Sequence, residues 1–358
     1  MIDHEMSTQL RTLLYSVPFH VLCEFIDTTD LVRFGSIHVD LRREISNKVN
    51  SRFIIYDGHY QFALGVNNYF KRASFKICGD FSCEQLEPLK KKIIALHLDH
   101  RSTITDCSLV TFPLLESLSL SGNGFITDNG VGCLQNLSSL RIDFNSRITD
   151  KCVMKLTNLT ELSLRGNTKI TDNALVCLTG LQILSVRSSP TITDRGLKCF
   201  DSLVSLDLRF NYNVTDYGLG RLTNLRELKL AGNKKITDIG LRSLIGLTSL
   251  RLRDLPHVTN ESIQGMSGLV YLRLRRCEGI NQDGFDNLVG LETLNLRGNN
   301  SIGNNALWNK PNIIRLTVSK RMTLYGILGL TNLKYLGIRD NEYIRKEHFA
   351  AEWKLKYI

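Results

Sequence analysis

The side chains with the most chemistry in this chain are arginines, and their spacing is regular. Arg165, Arg187, Arg209, Arg253, Arg275 and Arg297 fall in one column of period 22, with Ala231 between two runs of three. A second column, two residues earlier, adds Arg141, Lys229, Arg251 and Arg273. A guanidinium offers a planar fork of donors that grips a carboxylate or phosphate through two parallel bonds. The two columns therefore predict a groove for an acidic partner: an acidic or phosphorylated peptide, an acidic protein face, or a nucleic-acid backbone. Guanidiniums stacked ~5 Å apart repel by ~0.8 kcal/mol per pair in water, and Ser or Thr would serve the fold as well. A solvated face, partly neutralised by Glu161, Asp207, Glu227 and Asp254, is the other reading of the same residues. Aromatic residues near these columns are sparse (Phe144, Phe210, Tyr271, Tyr335), so a base-stacking platform ranks behind carboxylate or phosphate recognition. The net charge of +10 agrees in sign, as a bulk property.

Catalytic constellations are missing. The chain has no G-x-x-x-x-G-K-[ST], no H-E-x-x-H and no G-x-S-x-G after a strand. Its eight histidines are scattered, and His97, Asp99 and His100 are too few for a metal site. Nine cysteines make an odd count without zinc-ligand spacing. Cys133, Cys177 and Cys199 share one column beside a core position, as small buried thiols do. No enzyme, metal or cofactor is expected.

The arginines are placed by a repeat. The stretch Leu228–Leu247, LKLAGNKKITDIGLRSLIGL, carries an alternating pair, Leu228 and Leu230, then Asn233, then Leu241, Leu244 and Leu247 at helical spacing. The first leucine of that pair recurs every 22 residues from Leu96 to Leu316. Alternation puts the two leucines on one face of a short strand and sends the arginine columns to the other. Asn123, Asn145, Asn167, Asn211, Asn233, Asn299 and Asn341 follow the strand, where an amide that donates and accepts satisfies buried turn backbone. Ile-Thr-Asp then recurs at 104–106, 126–128, 148–150, 170–172, 192–194 and 236–238, with Val-Thr-Asp at 214–216. Thr and Asp before an apolar run are helix-start residues, and either serves as N-cap. Capping explains each acid singly, without a calcium site. Small residues two positions past each Asp (Ser108, Gly130, Cys152, Ala174, Gly196, Gly218, Gly240) let one short helix lie close to the next.

A fixed period in this range signals a solenoid, and L-x-L followed by Asn or Cys resembles the leucine-rich repeat. The resemblance covers Leu96 to Asn341. It implies an α/β solenoid of 22-residue repeats with a parallel sheet on the concave face, short helices outside, and a small N-terminal helical module. Residues 47–95 read as degenerate first repeats, with strands beginning at Phe53 and Phe75 that lie 22 and 21 residues before their successors. Residues 96–341 are the regular array, and residues 342–358 a C-terminal cap.

Residues 1–46 differ in kind. Val21, Leu22, Phe25 and Ile26 form an apolar helical face behind Pro18, and Asp30-Leu31 opens a second amphipathic piece. This pattern is similar to an F-box, and the match places Pro18, Val21, Leu22, Phe25, Ile26 and Leu31 on that motif. The resemblance implies docking on a Skp-type adaptor of a cullin–RING ubiquitin ligase, with the repeats holding a target, which the arginine columns predict to be acidic or phosphorylated. The alternative is a plain helical cap on a binding or scaffold protein, since terminal repeats need their open face covered. A nucleic-acid-binding solenoid would use the same arginines. The sequence has no apolar run of ~18 residues for a membrane span. MIDHEMST lacks a basic leader, so a cytoplasmic location, or a nuclear one, is expected.

Overall fold

The computed structural model describes residues 52–56, 63–64, 67, 74–79, 81–98, 102–339, 341–348 and 356–357. The F-box-like segment lies outside these residues. The chain divides into two compact units, Met1–Ser119 and Leu120–Ile358.

In the first unit four parallel strands lie side by side: β1 (Arg52–Tyr56), β2 (Ser74–Cys78), β3 (Ile93–His97) and β4 (Ser117–Ser119). Ile55 pairs with Ile77, 22 positions on, as the spacing predicts. The next step differs from the expected 21. A register shift after Phe75 pairs Ile77 with Leu96, and the connection holds only a four-residue helix (Cys83–Leu86) and a 3-10 turn (Glu87–Lys92).

The second unit carries eleven parallel strands in chain order: β5 (Ser139–Arg141), β6 (Glu161–Ser163), β7 (Ile183–Ser185), β8 (Ser205–Asp207), β9 (Glu227–Ala231), β10 (Ser249–Arg253), β11 (Tyr271–Arg275), β12 (Thr293–Asn295), β13 (Arg315–Thr317), β14 (Tyr335–Gly337) and β15 (Lys356–Tyr357). From β5 to β13 the first leucine of each repeat pairs with the next: Leu140 with Leu162, Leu206 with Leu228, Leu250 with Leu272. Leu206, Leu228 and Leu250 are 0% exposed, so each repeat completes its core against the two beside it.

Two polar ladders stitch the repeats. In the first, the Asn233 amide donates to the Leu208 and Asn211 carbonyls of the preceding repeat, at 2.8 and 2.6 Å. Asn145, Asn167 and Asn211 reach back in the same way. Where the column lapses at Ser189, the hydroxyl donates to Leu164 O instead. Where it lapses at Cys277, the buried Asn299 amide nitrogen finds no acceptor.

The second ladder runs through Thr-Asp and resolves which residue caps the helix. Thr is the cap: the Thr215 hydroxyl accepts from the Tyr217 amide at 3.2 Å, at the head of helix Asp216–Leu219. Asp faces forward. Both Asp194 oxygens are taken by the following repeat, from Thr215 N at 2.8 Å and from Thr215 Oγ1 at 2.7 Å. The same pair of bonds joins Asp128 to Thr149, Asp150 to Thr171, Asp172 to Thr193, Asp216 to Thr237 and Asp238 to Thr259. The carboxylates also account for Gly196, Gly218 and Gly240 in the column of small residues two positions past the Asp. A Cβ on Gly218 would come within 2.4 Å of Asp194 Oδ1, and one on Gly240 within 2.5 Å of Asp216 Oδ1.

Among the described residues no helix is long and apolar enough to cross a membrane.

Candidate anion-binding face of the second unit

Burial alternates along the strands as the leucine pattern requires. In β10 and β11 the leucines are buried, while Arg251, Arg253, Arg273 and Arg275 are half-exposed on the opposite face. Parallel register sets Arg251 beside Arg273 and Arg253 beside Arg275, one strand step of ~4.8 Å apart. Farther back, Arg141, Arg165, Arg187, Arg209 and Lys229 line a shallow depression of about 270 Å³ on the same face.

Internal carboxylates claim some of these cations. Asp207, opposite Lys229 in register, holds Arg209 through both oxygens, at 2.5 Å from Nη2 and 2.9 Å from Nε. Glu227 takes Lys229 at 2.9 Å and a bond from Ser205 Oγ at 2.7 Å. Burial works to raise the Glu227 pKa, but these partners and the nearby Arg251 hold it below the usual carboxylate range. Asp254 ties Arg276 and Arg253, the latter at 3.0 Å. Those bonds, Arg276 first, hold the Asp254 pKa down despite partial burial. Asp143, buried within the arginine column, accepts from Ser163 Oγ and Arg165 N, with Arg141 at 3.6 Å.

Other cations stay uncompensated. Among the described residues no carboxylate lies within ion-pair distance of Arg165, Arg187, Arg251, Arg273 or Arg275. Arg187 and Arg251 each hold a buried Nε with no acceptor. Burial lowers the Arg187 pKa, and the positive charges of Arg209 and Arg165 lower it further. Arg275 is lowered by desolvation and then by Arg253, Arg276, Arg297 and Arg273. A group destabilised by neighbouring cations gains from an arriving anion.

The aromatics have a role that spacing left open. Arg165 lies over the Phe144 ring at 5.1 Å, Arg187 over Phe210 at 5.4 Å, Arg251 over Tyr271 at 4.8 Å, and Arg315 over Tyr335 at 3.9 Å. These contacts hold the guanidiniums in place by cation–π attraction. A further column escaped the sequence reading. The residue after each strand's outer arginine position is left-handed: Gly122, Phe144, Gly166, Ser188, Phe210, Gly232, Asp254, Arg276 and Gly298 all have φ between 51° and 71°. The glycines at period 44 or 66 are its visible trace. Phe144 and Phe210 adopt this conformation against steric preference. Gly166 leaves the space that the Phe144 ring fills, since a Cβ there would lie 2.4 Å from it.

Of the sequence-predicted groove residues, the described structure thus brings Arg141 through Arg297 onto one face of the sheet, and it ties Arg141, Arg209, Lys229 and Arg253 to acids. The adaptor candidates Pro18, Val21, Leu22, Phe25, Ile26 and Leu31 lie outside the described residues.

Comparison with known proteins agrees with this architecture. The leucine-rich repeat family model matches residues 113–134, 155–178 and 221–244. Comparison with curated protein sequences finds no match. Among solved structures, the chain is similar to yeast Rad7, crystallised in complex with Elc1, over 100% of this chain and 98% of that one, with a TM-score of 0.60 and 19% identity. It is similar to an internalin, inlF, from Listeria monocytogenes over 72% of this chain and 88% of that one, with a TM-score of 0.50 and 24% identity. Toll from Drosophila, in complex with Spatzle, aligns over 86% of this chain and 57% of that one, with a TM-score of 0.52 and 14% identity. At these identities the likeness is one of fold.

Proposed function

Taking the chain as a leucine-rich-repeat solenoid, we propose that it is a non-enzymatic interaction receptor that holds an acidic protein partner on the open face of the second unit's sheet. The observation that carries this reading is the set of five arginines on one face that, among the described residues, have no carboxylate partner. An array held at a cost in mutual repulsion, with buried donors left unsatisfied, has its compensation in a ligand. Nucleic acid fits less well. Phe144, Phe210, Tyr271 and Tyr335 are the rings that adjoin the arginine columns, and each already carries a guanidinium on one side, so the face is richer in charge than in stacking surface.

The finer reading rests on residues 1–46. Their F-box-like pattern supports an adaptor-docking module, which would make the chain a substrate-recognition subunit of a cullin–RING ubiquitin ligase, working in the cytoplasm or nucleus. Residues 47–95 would then be worn first repeats, 96–341 the target-binding array and 342–358 its cap. That yeast Rad7, of similar fold along its whole length, was crystallised with a second protein is consistent with a receptor role. Affinity purification of the full chain followed by mass spectrometry tests the ligase reading. A Skp-type adaptor is expected, and it should be lost with Leu22→Ala/Phe25→Ala. Recovery of acidic partners without any adaptor would leave a scaffold with a helical cap.

A further inference from the structure

The uncompensated arginines are not spread evenly. Arg165 and Arg187 stand on the continuations of β6 and β7. Arg251, Arg273 and Arg275 stand on β10 and β11. Between them, β8 and β9 carry the two closed pairs, Asp207 with Arg209 and Glu227 with Lys229, and the buried Ala231. Glu161 on β6, which accepts from Ser139 Oγ, and Asp143 beside Arg141 offset part of the first group, so the face has a weaker and a stronger cationic pole divided by a neutral strip.

Resting on the acidic-partner reading, we propose that this face recognises an extended peptide segment bearing two phosphorylated side chains, one at each pole. Charge decides for phosphate over carboxylate. Each pole offers two or three guanidiniums on adjacent strands, and a phosphomonoester brings −1.5 to −2 with three acceptor oxygens, where a carboxylate brings −1 with two. The buried Nε–H groups of Arg187 and Arg251, one at each pole, are donors without acceptors. Stacking on Phe210 and Tyr271 orients the same two side chains.

Geometry sets the distance. From β7 to β10 is three strand steps, and from the middle of one pole to the middle of the other is four, roughly 14–19 Å at ~4.8 Å per step. Extended chain at ~3.3 Å per residue covers that in about four to six residues. The bound segment runs across the strands, and the neutral strip accepts its uncharged middle.

The test uses the full-length protein and synthetic Gly/Ser-rich peptides in fluorescence anisotropy. One peptide carries two phosphoserines five residues apart, another carries them adjacent, a third carries one, and a fourth carries two glutamates five apart. The spaced double phosphopeptide should bind at least tenfold more tightly than each of the others. Arg165→Glu/Arg187→Glu and Arg251→Glu/Arg273→Glu should each reduce it to the affinity of the single phosphopeptide, while Arg242→Ala, on the helix side and paired with Glu261, changes it less than threefold. Equal affinity for all acidic peptides, still lost on reversal of the arginines, overturns the two-pole inference and leaves the acidic-face reading standing. Failure of every peptide, with acidic partners captured equally by wild type and reversed variants, overturns both. Tighter binding of a single-stranded RNA of matched charge overturns the phosphopeptide assignment.

Discussion

The second unit manages charge in opposite ways on its two sides. Along the helix side, the six aspartates of the Thr-Asp column from Asp128 to Asp238 each accept through both oxygens from the Thr of the following repeat. Along the open face of the sheet, Arg165, Arg187, Arg251, Arg273 and Arg275 have no acid partner among the described residues, although Asp207, Glu227 and Asp254 show that the fold can supply one. Polar groups closed by their neighbours hold a structure together. Groups left open on the facing side of the same repeats are available to something else. The helix side is thus where substitution should cost stability, and the sheet face is where it should cost binding.

The largest effect lies beneath both sides. Leu228→Asp places an unpaired carboxylate where the side chain is 0% exposed, between Leu206 and Leu250. It should abolish cooperative unfolding in a calorimetric scan, since a buried ion without a partner costs several kcal/mol. A mutant that melts like the parent would refute the register.

Next comes the ladder. Asp194→Ala strands the Thr215 amide and hydroxyl and should lower stability by about 1–3 kcal/mol in urea titration. Asp194→Asn should lose less, because the chain already uses that solution. Asn260 accepts from Asn281 N at 3.0 Å and donates back to Asn281 Oδ1 at 2.8 Å. Equal losses for the two substitutions would mean that charge, rather than bond geometry, does the holding.

How much of this was legible in the sequence follows from the range of each interaction. The leucine register and the strand alternation repeat every 22 residues and are written in residue type, so the face of each arginine was readable. The Asn column was equally plain, because an amide donates to the preceding repeat while its oxygen accepts from its own turn. The direction of Asp was not. A carboxylate one residue into a helix reads as a local cap, and its partner lies 21 residues on, visible only once neighbouring repeats are stacked. The left-handed column was hidden because Phe144, Ser188, Phe210, Asp254 and Arg276 occupy sites where glycine would have announced it. The closing of Arg209 by Asp207 was within reach of the sequence, since residues two apart on a strand share a face. Weighing the column as a whole obscured which of its members were already paired.

Acid offers a smaller test of the same contrast. Asp254 and Glu227 titrate below the ordinary carboxylate range, so their contribution is complete above their unfolded pKa values, near 4, and is lost as pH falls through the lower folded ones. Scanning from pH 5 to pH 2 should therefore release Arg253, Arg276 and Lys229 and lower the melting temperature slightly. In Asp254→Asn that pH-dependent loss should shrink. A pH profile identical to wild type would show that Asp254 is not closed by Arg276.

The most direct test of the contrast is thermal unfolding of Arg165→Glu/Arg187→Glu beside Asp194→Ala. The double reversal gives up two cation–π contacts, about 0.5–1 kcal/mol each, and removes guanidinium repulsion of similar size, so it should melt within ~2 °C of wild type. Asp194→Ala should melt several degrees lower. If the arginine reversal instead destabilises the second unit as much as the loss of Asp194, the arginines belong to the scaffold and the face is not a binding site.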